Sequence, residues 1–413
     1  MTNELTEKKP APAPFAGSIP SSRGTVKLGC ERLLESEAPV LRGKRVGMIT
    51  NHTGVMPSGQ HIVDAFRANA DIKIGALFSP EHGFRGDAPA GKHVGHGIDA
   101  ETGITVYSLY GEHRKPEKSM LEDIDVLVYD IQDVGARFYT YISTMTLAME
   151  EAAENGIQFV VLDRPMVLSG DLIDGPVLRD DLRSFIGMLP IPVAYGLTPG
   201  ELAGLVQRDY LTPRGLSVEL HVVKLGNYSR SMWYDETGLP WVLPSPNIPT
   251  IETASVYPGT ALIEGTNLSE GRGTPFPFQN IGAPFIDKNE LSGFLNGLEL
   301  PGVTFEPLDF TPKDASTVSN PKFKGQLCHG VNIRVNDRNK IKPVEVGIAL
   351  VCAIRKLYPY YLMFRADGAF DRLVGNRNIS RFISDGADYK EIVSSWQTEL
   401  REFEESRREF FLY

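Results

Sequence analysis

The sequence predicts an α/β fold, with a doubly wound parallel sheet in the first half of the chain and a second domain after it. Short runs that are apolar throughout alternate with stretches of helical periodicity, and each run ends in a polar or glycine-containing turn. Strands of a parallel sheet that is covered by helices on both faces have this uninterrupted apolar character. The length of 413 residues corresponds to about two to three domains.

The elements of the first half follow one another as strand and helix. Helices are predicted at His61–Asn69, Thr144–Glu154 and Gly200–Arg208, where apolar residues recur at helical spacing. The predicted strands are Arg45–Thr50, Ile72–Phe78, Ile104–Leu109, Val126–Ile131 and Phe159–Leu162. We expect residues 1–24, which are rich in proline and lack periodicity, to form a flexible arm before a first domain at 25–215.

A second domain is predicted at 216–413. It opens with a strand at Ser217–Val223, continues through a segment rich in proline and glycine at 238–285, and then carries a strand at Gly330–Val335 and a helix at Val344–Lys356. A last helix is predicted from Tyr389 to Phe411, with one apolar face that docks on the core. That face consists of Ile392, Trp396, Leu400 and Phe403.

Composition and missing motifs exclude several classes of protein. The net charge of −10 argues against a protein that coats nucleic acid or an anionic membrane, but it does not exclude a small anionic ligand. The sequence has no membrane-spanning apolar run and no signal-peptide core at its N-terminus. It also lacks the GxGxxG, GxxxxGK[ST], GxSxG and HExxH motifs, and Cys30, Cys328 and Cys352 are widely spaced. No cofactor, metal site or disulfide framework is therefore expected.

Polar side chains follow the predicted strands, at the points where ligands bind in open α/β sheets. They are carboxylates, amides, arginines and a tyrosine, which together suit a polyhydroxylated substrate such as a sugar. Cleavage of a glycosidic bond also needs a carboxylic acid to protonate the leaving oxygen. Glu81 is the best candidate because it follows Pro80 directly after an apolar strand, although an acid at this position is also a common cap of a turn.

The second half carries its own dense polar segment. Residues 264–274 present Glu264, Asn267, Glu270 and Arg272 on a loop that glycine restrains, after the proline-rich segment Pro244–Pro249. Such a loop either contributes to a ligand site or is a structural loop whose acids pair with its own arginine. Together the two halves indicate a cleft between domains, where ligand pockets are common.

Several long blocks of the chain form a distinctive set in a fixed order. They are SPEHGFRGDAPAG (79–91), YDIQDVGARFYTYISTM (129–145), VLDRP (161–165), LPWVLPSPNIPT (239–250), YPGTALIEGTNLSEGRGT (257–274) and IGAPFID (281–287). These blocks resemble the NamZ-type exo-β-N-acetylmuramidases, a bacterial family of peptidoglycan hydrolases. The resemblance runs from about Gly29 to Tyr413 and implies a Rossmann-like domain, a second smaller α/β domain and an active-site cleft between them. It implies removal of N-acetylmuramic acid from the non-reducing ends of peptidoglycan fragments.

The resemblance places the family's SPEHG glutamate on Glu81, the residue that the strand ends already favoured as general acid. The lactyl carboxylate of the substrate needs a cation, for which Arg85, Arg137, Arg164 and Arg272 are the candidates, unless they form internal ion pairs. Met166 and Val167 depart from the family's usual Asn-Pro, and Gln279 replaces its usual acid. The expected catalytic residues are Glu81, Asp130 and Tyr139, and the expected substrate-binding residues are Asn51, His82, Arg85, Gln132, Arg137, Arg164, Glu264, Asn267, Glu270 and Arg272.

Several alternatives stay open at the level of sequence. A retaining, an inverting or a substrate-assisted route all use Glu81 as acid, and its partner is Asp130, Asp133 or Glu264. Tyr139 either contacts the sugar or packs in the core with a satisfied hydroxyl. The competing functions are a non-catalytic cell-wall glycan-binding protein and a β-N-acetylglucosaminidase-like hydrolase. The expected partner is a peptidoglycan-derived sugar, without nucleic acid or membrane insertion, and this substrate suggests the periplasm or the exterior.

Overall fold

The computed structural model describes residues 25–81, 83–84, 95–315, 318 and 320–413, so the predicted arm at 1–24 lies outside the described residues. The strands are β1 (Arg45–Thr50), β2 (Lys73–Ser79), β3 (Gly97–Ile98), β4 (Thr105–Ser108), β5 (Val126–Asp130), β6 (Gln158–Leu162), β7 (Leu220–Val223), β8 (Asn280–Ala283), β9 (Val303–Phe310) and β10 (Cys328–Val335). The helices are α1 (Gly29–Arg32), α2 (Ile62–Ala68), α3 (Lys118–Leu121), α4 (Tyr141–Asn155), α5 (Pro199–Leu205), α6 (Ile251–Thr260), α7 (Lys288–Asn296), α8 (Pro343–Leu357), α9 (Ala369–Val374), α10 (Arg377–Ser384), α11 (Tyr389–Ser394) and α12 (Gln397–Ser406).

The larger sheet confirms the predicted α/β class. Its strand order among the described residues is β3-β4-β2-β1-β5-β6-β7, and every neighbouring pair is parallel except β3 with β4. Strands β5 and β6 are buried along their whole length, which is why they are apolar at every position except Asp130 and Gln158 at their ends. Because β1, β2, β5 and β6 are parallel, their carboxyl ends meet at one edge of the sheet.

The second region holds a smaller antiparallel sheet in the order β8-β10-β9, packed against helices. Sequence patterns did not predict β9 or α6. Strand β9 lies at an edge and alternates between buried and exposed residues around Pro307, a residue that sheets tolerate at their edges. Helix α6 contains Pro258 near its end, which masks its helical character in the sequence.

The prediction of one long C-terminal helix is wrong. The chain forms two helices, α11 and α12, which are separated at Ser395 and Trp396. The backbone of Trp396 has φ −109° and ψ 0°, outside the regular helical range. The predicted apolar face is nevertheless confirmed, since all four of its side chains are buried. A change of direction at Trp396 thus lets two short helices cover the core.

The C-terminal residues fasten onto the larger sheet at the end of β6. The Tyr413 hydroxyl donates to Asp163 at 2.7 Å and accepts from the backbone of Leu225 at 2.7 Å. The Arg407 guanidinium donates to the carbonyl oxygens of Gly170 and Gly196. Asp163 also accepts from Thr198, so the chain itself occupies this strand end. Strand β7 pairs with β6 in the larger sheet, and the domain division near residue 215 stays a prediction.

Helices α6 and α8 cross at glycine on both sides. A Cβ atom on Gly347 would lie 2.3 Å from the carbonyl oxygen of Gly259, and one on Gly259 would lie 1.7 Å from the carbonyl oxygen of Pro343. Both distances are far below van der Waals contact with rigid backbone.

None of the helices in the described ranges is long and apolar enough to cross a bilayer.

Replacing Gly347 by alanine should therefore lower the free energy of unfolding by about 2–3 kcal/mol, because the two helices must move apart. Gly293→Ala in α7 is the matched control, since a Cβ there meets no described atom within 4 Å. The control should be neutral or stabilise by about 0.5–1 kcal/mol through helix propensity. Urea unfolding measures both variants, and equal effects would contradict the close crossing.

Candidate active site

Glu81 lies just beyond the carboxyl end of β2 and is half-buried. The Thr140 hydroxyl donates to its Oε2 at 3.0 Å, and the Tyr110 hydroxyl hydrogen-bonds to the same carboxylate. Burial and this carboxylate raise the pKa of Tyr110. Thr140 immediately precedes α4, so Glu81 lies at the N-terminal end of a helix, where a negative charge is favourable.

Tyrosines on either side of Thr140 join the two regions of the chain. Tyr139 and Tyr141 both donate to the carbonyl oxygen of Pro244, at 2.6 and 3.2 Å. The Tyr139 ring packs edge-on against Tyr141 and against Tyr257 of α6, with centroids 4.8 and 6.2 Å apart. Tyr139 is thus packed in the core with a satisfied hydroxyl, which is the second of the two alternatives left open by the sequence.

Tyr257 lies between charged groups from both regions. Burial raises the pKa of its hydroxyl, the Glu264 carboxylate raises it further, and Arg272 opposes that rise. The carboxyl groups of Glu81 and Asp133 also raise it. Sequence reasoning did not select Tyr257, although the residue opens the family-like block at 257–274. Charged groups of both regions therefore lie close to the Tyr257 hydroxyl. We call the region around Glu81 the first wall of the site and the region around Glu264 and Arg272 the second wall.

Asp133 is a fully buried carboxyl group beside this cluster. Its Oδ1 accepts from the Gly135 backbone and from the Tyr195 hydroxyl, both at 2.7 Å. Its Oδ2 has no hydrogen-bond partner among the described residues. Burial raises the pKa of Asp133 from 3.8 to about 7, although the hydrogen bonds oppose this rise. The group therefore holds a proton up to about neutral pH in the folded protein.

Asp130 and Arg164 form a buried ion pair at the ends of β5 and β6. Arg164 Nη2 lies 3.0 Å from Asp130 Oδ2, and Arg164 Nε contacts the other oxygen. Arg164 also donates to the carbonyl oxygen of Val55. Both carboxylate oxygens of Asp130 are thus occupied by an internal partner, which was the alternative to a role in substrate binding.

Arg137 is also an interior residue. Its guanidinium donates to the carbonyl oxygens of Pro176, Ile191 and Leu373 at 2.8–2.9 Å. Burial lowers the pKa of Arg137 to about 9. These bonds tie α9 of the second region to the first, so the side chain acts as a structural tie.

Asn51 and Gln132 shape the backbone at the same edge of the sheet. Asn51 Oδ1 accepts from the backbone and hydroxyl of Thr53 at 2.9 and 2.6 Å. Gln132 Nε2 donates to the carbonyl oxygens of Asp133 and Pro165. The predicted binding residues His82 and Arg85 lie outside the described residues.

The second region contributes a cluster of two acids and two cations. Arg272 Nη2 donates to Glu264 at 2.6 Å, and its Nε lies 3.7 Å from Glu270. Lys322 lies 3.1 Å from Glu270 and donates to the carbonyl oxygen of Leu268. Burial opposes the charge of Arg272, but the two carboxylates outweigh this effect and raise its pKa. Sequence reasoning missed Lys322, because no motif connects it with residues 264–272.

Asn267 points to another part of the surface. Its side-chain amide donates to the carbonyl oxygen of Tyr361 at 2.8 Å and accepts from the Met363 backbone at 2.9 Å. Met166, Val167 and Gln279, where the sequence departs from the family pattern, are all buried. The departures therefore lie in the packed interior.

The arrangement combines a carboxyl group on one wall, an aromatic floor and a guanidinium on the other wall. The sequence of the chain was compared with known protein families. Residues 46–252 match exo-beta-N-acetylmuramidase NamZ, N-terminal, and residues 255–413 match exo-beta-N-acetylmuramidase NamZ, C-terminal. The chain belongs to the NamZ exo-β-N-acetylmuramidase family. It is a glycoside hydrolase, as the sequence blocks predicted.

Relatives of the NamZ family match along nearly the whole chain. The chain is 48% identical over 401 residues to peptidoglycan beta-N-acetylmuramidase NamZ of Bacillus subtilis (strain 168), covering 97% of this chain and 94% of that protein. Two crystal structures of DUF1343 family proteins from Bacteroides fragilis NCTC 9343 share 37% and 32% identity, with TM-scores of 0.87 and 0.77. Each match covers 94% of this chain and 99% of the other.

Stability should fall with pH because of Asp133. The folded state keeps a proton that the unfolded chain releases above pH 3.8, so the stabilising contribution is complete below about pH 4 and is lost by about pH 7, up to about 4 kcal/mol. Asp133→Asn stays neutral and should flatten this fall. The fall should persist in part, since burial also raises the pKa of Asp163 to about 7.

Urea unfolding at pH 4.5 and pH 7.5 measures the difference. Asp180→Asn serves as control, because its carboxylate is largely exposed, and it should keep the wild-type pH dependence. The same slope in Asp133→Asn and the wild type would refute the assignment of a buried, protonated carboxyl group.

Proposed function

We propose that this chain removes N-acetylmuramic acid from the non-reducing ends of peptidoglycan fragments, with Glu81 as the general acid. The observation that carries this proposal is the position of Glu81, which binds the hydroxyls of Thr140 and Tyr110 and lies, with Glu264 and Arg272, around the Tyr257 hydroxyl. Family membership and the peptidoglycan relative support the choice of substrate. The half-buried carboxyl group keeps access to the leaving oxygen of a bound sugar.

In the proposed reaction Glu81 protonates the glycosidic oxygen while the bond to the anomeric carbon breaks. The three carboxyl groups considered as its partner are all engaged elsewhere. Asp130 binds Arg164, Asp133 is fully buried and Glu264 binds Arg272. Their engagement favours the route in which the 2-acetamido oxygen of the substrate bonds to the anomeric carbon as the bond to the leaving oxygen breaks. Water then attacks the anomeric carbon, the bond to the acetamido oxygen breaks, and the Glu81 carboxylate takes the proton of that water.

Arg272 is the cation that we assign to the lactyl carboxylate. Arg137 and Arg164 are engaged in the interior, and Arg85 lies outside the described residues. Arg272 Nη2 is held by Glu264 and its buried Nε faces Glu270, whereas its Nη1 makes no hydrogen bond within the described part of the chain. A carboxylate in the site therefore finds a guanidinium with remaining donors.

Glu81→Gln should lower kcat on a chromogenic N-acetylmuramide at least about a hundredfold, because a carboxamide cannot protonate the leaving oxygen. Its melting temperature should stay close to that of the wild type, since the amide oxygen still accepts from Thr140. Glu117→Gln is the matched control on an exposed glutamate of the same region. Wild-type turnover in Glu81→Gln would remove Glu81 from the mechanism, and saturable glycan binding without product in the wild type would favour the non-catalytic function.

Arg272 should determine the preference for muramic acid over glucosamine. We expect Arg272→Gln/Glu264→Gln, which removes both charges of the pair, to lower kcat/KM for the N-acetylmuramide roughly tenfold to a hundredfold. The N-acetylglucosaminide lacks the lactyl group, so the ratio of the two kcat/KM values is the measurement. Glu264→Gln alone separates the contribution of the acid. Equal losses on both sugars would contradict the assignment and favour a glucosaminidase-like site.

A further inference from the structure

Large exposed apolar side chains are concentrated just after α8. Tyr360, Tyr361 and Met363 are 94%, 57% and 61% exposed. Single exposed apolar residues are normal on a protein surface, whereas a contiguous group marks an interaction site. The Tyr361 ring stacks on Phe285, with centroids 5.2 Å apart and planes 20° apart. We refer to Phe285, Tyr360, Tyr361 and Met363 as the aromatic platform.

The aromatic platform is held in place by hydrogen bonds below it. The Tyr358 hydroxyl accepts from the Asp287 backbone at 3.0 Å and donates to Glu290 at 2.8 Å. The backbone of Tyr361 donates to the Tyr358 carbonyl oxygen at 3.0 Å. The segment that carries the exposed rings is therefore fixed before any ligand arrives, which lowers the entropic cost of binding.

The aromatic platform is continuous with the second wall of the active site. Asn267 bonds through its side chain to Tyr361 and Met363, and its backbone donates to Met363. Asn267 follows Glu264, the partner of Arg272, by three residues, a span of at most about 10 Å. A polymeric ligand bound at Arg272 therefore has the aromatic platform within a short reach.

The surroundings of the aromatic platform suit an uncharged sugar. An open groove of about 430 Å³ beside Phe285 is lined by the polar side chains of Asp287, Lys288, Asn289, His329 and Tyr358, and Lys288 pairs with Asp309. Aromatic faces pack against the apolar face of a pyranose, and such polar side chains bind its hydroxyl and acetamido groups.

Three cations near these rings already have polar partners, which makes an anionic ligand a poor match. Arg355 donates to the carbonyl oxygens of Pro359 and Ser384, Arg365 pairs with Asp367, and Lys288 pairs with Asp309. Lys356 lies over the Phe294 ring.

We propose that the aromatic platform binds N-acetylglucosamine units of the glycan strand, on the leaving-group side of the bond that is cleaved. This inference rests on the proposed function. It adds that the enzyme recognises an extended glycan strand and not only the terminal sugar. Asn267 then acts as a positioning residue for the aromatic platform, through its side-chain hydrogen bonds to the backbone of Tyr361 and Met363.

The test compares two substrates in the variant Tyr360→Ala/Tyr361→Ala. On peptide-free glycan strands kcat/KM should fall roughly tenfold, or about 1.4 kcal/mol, mainly through KM, because the variant lacks the two rings that pack against the sugar. On the chromogenic N-acetylmuramide, which does not reach the aromatic platform, kcat/KM should be unchanged. Tyr360→Phe/Tyr361→Phe keeps the rings and should keep the activity on strands. Leu327→Ala, another exposed apolar residue, should affect neither substrate.

Equal losses of kcat/KM on both substrates, or no loss of kcat/KM on glycan strands, would overturn the inference. Calorimetric binding of glycan strands in the Glu81→Gln background, with and without the two alanine substitutions, separates this failure from a failure of the proposed function. If glycan strands bind and their binding depends on the two tyrosines, the proposed role of the aromatic platform is supported even if the wild type releases no sugar. A concentration-dependent molar mass that the double substitution abolishes would instead identify a contact between two copies of the chain.

Discussion

The tripeptide Tyr139–Tyr141 sets the geometry of the whole site. Its outer residues bind the Pro244 carbonyl oxygen, and the Tyr139 ring packs against Tyr257. Its middle residue, Thr140, binds Glu81. One short segment thus fixes the proposed acid relative to the wall that carries Arg272. Buried hydroxyls that share one acceptor leave little freedom, since each would lose a hydrogen bond if the two regions moved apart.

Arginine has two different roles in this protein, in the interior and at the candidate site. Arg137 and Arg164 satisfy backbone carbonyl oxygens and a buried carboxylate, and removing either would leave uncompensated polar groups in the interior. Arg272 instead lies in a cluster with Glu264, Glu270 and Lys322 at the edge of the second region. All three residues lie in blocks that resemble the family, so the resemblance does not separate them, whereas their burial and partners do.

Much of the fold follows from the sequence, because a parallel strand buried on both faces must be largely apolar. The interior positions of β1, β5 and β6 met that condition, and the rule that ligands bind at carboxyl ends led to Glu81. Tyr257 and Lys322 did not emerge, because their importance comes from packing between segments that are distant in sequence. The break at Trp396 was missed for a related reason, since Ile392, Trp396, Leu400 and Phe403 keep helical spacing across it.

The acidic net charge of the chain is compatible with the proposed anionic substrate. The reason is that Arg272, the cation assigned to that substrate, is held in ion pairs with Glu264 and Glu270. An isolated guanidinium with 18% of its side chain exposed would lose much of its hydration without compensation. Glu264 and Glu270 compensate it, and the cluster with Lys322 is formally neutral. In the proposed complex, the lactyl carboxylate interacts with donors of Arg272 that Glu264 does not use. Such a cluster attracts anions weakly at long range, so we infer that selectivity arises at close contact, where the geometry of the guanidinium discriminates.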